Sequence, residues 1–143
     1  MHNNNFEIIA DYKEVNNFCK NISAILYSSN ILSDDIIACE IALREVLTNV
    51  VKHAYQNNSN NKIKISFELI NNKITISITD FGISKKIFEK AKLDYDPNDI
   101  ENLPEGGFGL FIIEKIMDYT EYIVENGKNT YTMIKLLRET NSK

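Results

Sequence analysis

The stretch Glu105-Gly106-Gly107-Phe108-Gly109-Leu110-Phe111-Ile112-Ile113-Glu114 sets three glycines within four residues, directly before an apolar run with helical spacing. Glycine has no Cβ, so backbone N–H groups there can turn toward a ligand and approach it closely. A helix starting at such a loop adds unpaired amides and the positive end of its dipole, and together these suit an anion. By itself a glycine turn entering a helix is most often a plain loop. Its meaning depends on what the rest of the chain supplies.

The chain of 143 residues has the length of one domain around a single core, expected over about residues 6–137. With 43% hydrophobic and 25% charged residues it has a soluble, globular composition. Its net charge of -4, with lysines spread along the chain, argues against a direct nucleic-acid partner, which would need a basic face. No apolar run approaches the length of a membrane span, and the polar start Met1-His2-Asn3-Asn4-Asn5 is unlike a secretory signal. A cytoplasmic location is therefore expected. Cys19 and Cys39 lie far apart without metal-ligand spacing, as two buried thiols of a reducing compartment would.

Periodicity lays out the elements. A strand is expected over Phe6–Tyr12 and a helix over Lys13–Ser29, the latter from Val15, Phe18, Cys19, Ile22, Ile25 and Leu26. Ser33-Asp34-Asp35 reads as the cap of a second helix, Asp34–Gln56. Ile36, Leu43, Leu47, Val50 and Ala54 give that helix one apolar side, expected to pack on a sheet. Ala38, Ala42, Glu45, Asn49 and Lys52 form a stripe on roughly the other side, with His53 at its margin. Taken alone, Glu45, Asn49 and Lys52 read first as the wet face of an amphipathic helix; the alternative is that the small alanines above an acid and an amide leave room for a ligand there.

Lys62–Ile70 and Lys73–Thr79 alternate as half-buried strands joined by Asn71-Asn72, and asparagine tolerates the positive φ of a tight hairpin. One face of the sheet should carry helices and the other should be wet or covered by a partner. The second strand runs into Asp80-Phe81-Gly82, where a carboxylate could accept a hydrogen bond from an exocyclic amine and Gly82 could let a ring come close. Residues Lys85–Glu105, rich in Asp, Asn and Pro, read as a lid. A third helix is expected over Phe108–Tyr119, with Phe111, Ile112, Ile116 and Tyr119 along one side. Strands at Tyr122–Val124 and Thr130–Leu137 follow, joined by the strong turn Asn126-Gly127. The triplet Asp80-Phe81-Gly82 does not signal a eukaryotic-type protein kinase, because the chain has neither a His-Arg-Asp loop nor a Val-Ala-Ile-Lys strand. It has no Walker glycine-lysine loop either.

Three stretches stand in order: Glu45-xxx-Asn49-xxx-His53-Ala54-Tyr55, Asp80-x-Gly82 and Gly106-Gly107-x-Gly109. Their order and spacing resemble the N, G1 and G2 boxes of the GHKL ATPase superfamily, and most of all its small RsbW/SpoIIAB-type anti-sigma factor serine kinases. The resemblance implies a two-layer α/β sandwich of the Bergerat type, a mixed, largely antiparallel sheet covered on one face by three helices. It implies ATP and Mg²⁺ as cofactors. Asp80 would take the adenine amino group with Thr130 nearby, and Asn49 would hold Mg²⁺. His53, Gly82, Gly106, Gly107, Phe108, Gly109 and Leu110 would complete the ATP site. Glu45 stands at the catalytic acid, positioned to accept the proton of an attacking hydroxyl.

The partners so implied are an anti-anti-sigma protein with a STAS domain and a sigma factor, and the resemblance also allows a homodimer. Two positions depart from the pattern: Ser84 where a second glycine is usual, and Glu105 where some members carry arginine. With Asp94, Asp96, Asp99 and Glu101 in the lid, acids gather beside the expected triphosphate. They favour an alternative, a nucleotide-gated binding switch of the same fold without kinase activity. A detached histidine-kinase catalytic domain fits less well, since the chain has only His2 and His53 and no phosphoacceptor hairpin.

Overall fold

The computed structural model describes residues 3–84 and 107–138, with the backbone alone for 107–110. The elements run β1 (Asn3–Ile9), α1 (Tyr12–Tyr27), α2 (Ser33–Asn49), a π-helical turn (Val50–Ala54), β2 (Lys62–Ile70), β3 (Lys73–Asp80), α3 (Gly107–Ile116), β4 (Tyr119–Glu125) and β5 (Lys128–Leu136). The lid expected over Lys85–Glu105, and Gly106 beside it, lie outside the described residues.

The five strands lie in the order β1-β2-β3-β5-β4. Every pairing among the described residues is antiparallel, in keeping with the largely antiparallel sheet that the resemblance implies. The reason is topological. The connection from β3 through α3 arrives at the outer strand β4, and β5 then turns back into the gap between β3 and β4. The two strands that run the same way are thereby separated. Both hairpins close through positive-φ pairs, Asn71 and Asn72 (φ 54 and 60) and Asn126 and Gly127 (φ 53 and 76). This backbone matches the twist of the flanking strands, and only residues tolerant of the left-handed region supply it.

One face of the sheet packs under the helices. Ile63, Ile65 and Phe67 of β2, Ile74, Ile76 and Ile78 of β3, and Tyr131 and Met133 of β5 meet Val15, Cys19 and Ile22 of α1 and Ile36, Leu43 and Leu47 of α2. The other face is polar at its centre, where Ser77 Oγ lies 3.2 Å from Thr132 Oγ1 and Thr79 Oγ1 lies 3.2 Å from Thr130 Oγ1, and carries exposed apolar side chains such as Ile123 and Leu136 toward its β4 side. Cys19 and Cys39 are buried, and desolvation pushes their thiols up to about 11 and about 12. Such groups are poor nucleophiles.

Several local expectations shift. Ser33-Asp34-Asp35 makes no side-chain cap: α2 begins after Leu32, and Asp35 is buried inside the fold. Its carboxylate instead accepts hydrogen bonds from Arg138, one from the backbone N and one from Nη2 at 2.8 Å. Among the described side chains of α3 Ile113 is buried, followed by Met117 just beyond the helix, while Ile112 and Tyr119 are exposed. The helix stops at Ile116, whose carbonyl accepts from Lys135 Nζ at 2.8 Å, and Asp118 N bonds to Ile134 O. The strand ladder thus captures the chain a turn before the apolar pattern runs out.

One-sided coverage gives the first prediction. Phe67→Ala, fully buried between sheet and helices, should lower unfolding free energy in urea by about 3–5 kcal/mol. Ile123→Ala on β4, 47% exposed, should change it by less than about 0.5 kcal/mol. A large loss at Ile123 would mean that a second surface covers the open face in solution.

Candidate functional site

The helix end, the exit of β3 and the start of β5 meet at one junction. The last turn of the long helix is π-helical, with Tyr55 N bonding back to Val50 O at 2.9 Å. Such turns leave helix carbonyls without their usual partners and recur at functional sites. The Ala54 carbonyl is met by Ile83 N at 2.9 Å. A Cβ added at Gly82 would lie 2.3 Å from that same carbonyl oxygen. The space that Gly82 leaves is therefore taken by the helix end, whereas the sequence suggested room for a ligand ring. Tyr55 completes the junction: its hydroxyl donates to Lys62 O at 2.8 Å and accepts from Phe81 N at 2.8 Å. Burial raises the pKa of this phenol, which keeps the proton that the first bond needs.

Asp80 ends β3 with its side chain on the helix side of the sheet, 4% exposed. Its Oδ1 accepts from Gly82 N at 2.9 Å and from Asn129 Nδ2 at 2.8 Å. Desolvation raises its pKa, and the bonds from Asn129 and Gly82 pull the other way without cancelling it. Thr130, expected beside Asp80, lies on the opposite face, bonded to Thr79. The strand register pairs Asp80 with Asn129 instead. The alternation that buries Tyr131 and Met133 carried this signal, since with period two Asn129 and not Thr130 shares their face.

On α2, Asn49 is 5% exposed and Glu45 half-buried. Asn49 Nδ2 donates to Glu45 O at 2.9 Å and to Glu45 Oε2 at 3.1 Å. Both partners are acceptors, so the amide's orientation is forced and Oδ1 is left as its acceptor end. Ala42, expected to leave room for a ligand, is fully buried core, and Ala38 is half-buried. Of the stripe, Lys52 is exposed, while Glu45 and Ala38 are half-buried. His53 is half-buried within the π turn. Gly107, Phe108, Gly109 and Leu110 form the first turn of α3, which packs alongside α2.

The structure thus brings Asp80, Gly82 and the helix carrying Glu45, Asn49 and His53 into one connected unit, with the start of α3 on the adjoining helix. A cavity of about 410 Å³ lined by Asn5, Glu7, Lys64, Ser66, Ser77 and Thr79 opens on the opposite face of the sheet and contains none of these residues.

A family model described as the histidine kinase-like ATPase domain matches residues 8–135. The serine-protein kinase RsbW of Staphylococcus aureus strain MSSA476 is 40% identical over 122 residues, covering 82% of this chain and 76% of the relative. Its counterpart in strain JH9 is 39% identical over 123 residues, with the same coverage. Among solved structures, the RsbU and RsbW domains of a Mycobacterium tuberculosis protein superpose with a TM-score of 0.69 at 16% identity. They cover 96% of this chain, which spans 33% of that longer one. The SiaB–SiaC complex from Pseudomonas aeruginosa gives a TM-score of 0.65 at 8% identity, over 92% of this chain and 88% of that one. At these identities the two structures are likenesses of fold.

Burial of Asp80 has a measurable consequence. An acid whose folded pKa is raised stabilises the fold only while protonated, below its unfolded pKa, and that contribution is lost as pH rises through the folded value. Asp80→Asn keeps the acceptor oxygen without the charge, so it should melt higher than the wild type at neutral pH. The gap should close as pH falls through the carboxylate range. A lower melting temperature at neutral pH would mean that the ionised carboxylate itself holds the junction together.

Proposed function

Because the chain belongs to the histidine kinase-like ATPase domain family and has RsbW serine-protein kinases as close relatives, we propose that it binds ATP at the Asp80 turn and transfers the γ-phosphoryl group to a partner protein. It is an ATP-dependent protein serine/threonine kinase of the partner-switching kind. Its substrate is a regulator with a STAS-like domain, and the partner it withholds is a sigma factor, which places its work in the cytoplasm. A homodimer is the assembly that the resemblance suggests.

The observation that carries this reading is the direct contact between Glu45 and Asn49, one helical turn apart on α2, on the same helix whose end is bonded to the Asp80 turn. Asp80 accepts the adenine amino group and fixes the purine. Gly106, Gly107 and Gly109, entering α3, offer backbone N–H groups to the phosphates. Glu45 accepts the proton of the serine or threonine hydroxyl as its oxygen bonds to the γ-phosphorus. The bond from that phosphorus to the bridging oxygen breaks, and ADP leaves with the electron pair. The fixed helix spacing supplies positioning, which is most of what a protein contributes to this transfer.

Asn49 Oδ1 is a hard oxygen suited to Mg²⁺. This fits a cation held by one side chain, phosphates and water. Bound there, Mg²⁺ would neutralise phosphate charge.

Glu45→Gln tests the assignment. Transfer of ³²P from ATP to the partner's STAS domain should fall by about 10²–10⁴-fold, with ADP affinity unchanged. Undiminished transfer would remove Glu45 as the base. If the wild type yields no phosphoprotein while ATP and ADP still change partner affinity, the chain is the nucleotide-gated switch.

A further inference from the structure

Asn129 stands in no motif that the sequence singles out, yet it is 1% exposed and lies against Asp80. A buried amide must satisfy its polar atoms, and the partners chosen here are informative. Nδ2 donates to Asp80 Oδ1 at 2.8 Å and to Gly82 O at 3.0 Å. An ionised carboxylate oxygen and a carbonyl oxygen can only accept, so the nitrogen must face them and both of its hydrogens are committed. Asp80 Oδ1 receives a second bond from Gly82 N. Two donors thus fill one carboxylate oxygen, and Oδ2 is left as the acceptor with which Asp80 can meet a ligand.

Resting on the nucleotide-binding reading above, we propose that Asn129 is a positioning residue that sets base selectivity, holding Asp80 as an oriented, acceptor-only carboxylate that takes a 6-aminopurine and rejects a 6-oxopurine. An exocyclic amine donates to a bare carboxylate oxygen, whereas the oxo group of hypoxanthine or guanine faces it with lone pairs. A protonated Asp80 would reverse this, because its O–H could donate to the oxo group. Burial pushes Asp80 toward that protonated form, and the bond from Asn129 opposes it. Asn129 also ties β5 to the Gly82 carbonyl, so the same amide fixes the turn and the acid together.

The test is calorimetric titration with ADP and with IDP, which differ at the purine 6-position, each with Mg²⁺. The wild type should prefer ADP by about a hundredfold or more. Asn129→Leu, similar in size but without donors, should lower that ratio by about tenfold or more, and Asn129→Thr, which restores one hydroxyl donor, should recover most of it. A purely structural role would weaken ADP and IDP alike and leave the ratio intact, which would overturn the inference. Should Asn129→Leu not fold, Asn129→Asp is the nearest in shape. Two adjacent acids share a proton, so this variant should gain IDP affinity while losing ADP affinity, and an unchanged ratio would again overturn the inference. If the folded wild type binds neither nucleotide, the nucleotide reading itself fails and takes this one with it.

Discussion

The close approach of Gly82 to the Ala54 carbonyl is the contact on which the rest of the site depends. A side chain at Gly82 would collide with helix backbone, which cannot move aside as a flexible side chain can. With glycine there, the exit of β3 settles on the π turn, Ile83 N satisfies the Ala54 carbonyl and Tyr55 reaches both Phe81 N and Lys62 O. The acid that ends a strand and the amide and acid of a helix are thereby fixed relative to one another through backbone. Catalysis by positioning needs that kind of rigidity more than it needs reactive groups.

The same junction explains the division of labour between the two faces of the sheet. The covered face combines a core of isoleucines with three polar residues on the site's side, Asn49, Asp80 and Asn129, each buried and each hydrogen-bonded. Burying them is costly unless they are paired, and the pairing chosen leaves acceptor atoms for a ligand. The open face holds hydroxyls in cross-strand pairs, Thr130 among them.

Much of this was legible in the chain. The alternation in β2 and β3, the helical spacing of α1 and α2 and the two positive-φ hairpins are local properties, and each is present in the structure with shifted ends. The ordered boxes led to the family that the comparisons show. What escaped depends on contacts distant in sequence. Asp35 looks like a helix cap until Arg138, 103 residues away, is placed beside it. Gly82 reads as space for a ligand until the helix end fills that space. The resemblance implies Thr130, but strand parity puts Asn129 on the Asp80 face and Thr130 behind the sheet. The strand order, with β5 entering between β3 and β4, is likewise a long-range property that no window of sequence reveals.

Whether the Asp80 turn is the base-recognition end of a nucleotide site is decided by calorimetric titration of the purified protein with ADP and Mg²⁺, alongside Asp80→Asn. Saturable binding with one nucleotide per chain is expected in the wild type and none in a folded Asp80→Asn protein. Equal binding by both would contradict that role and place the nucleotide elsewhere on the chain.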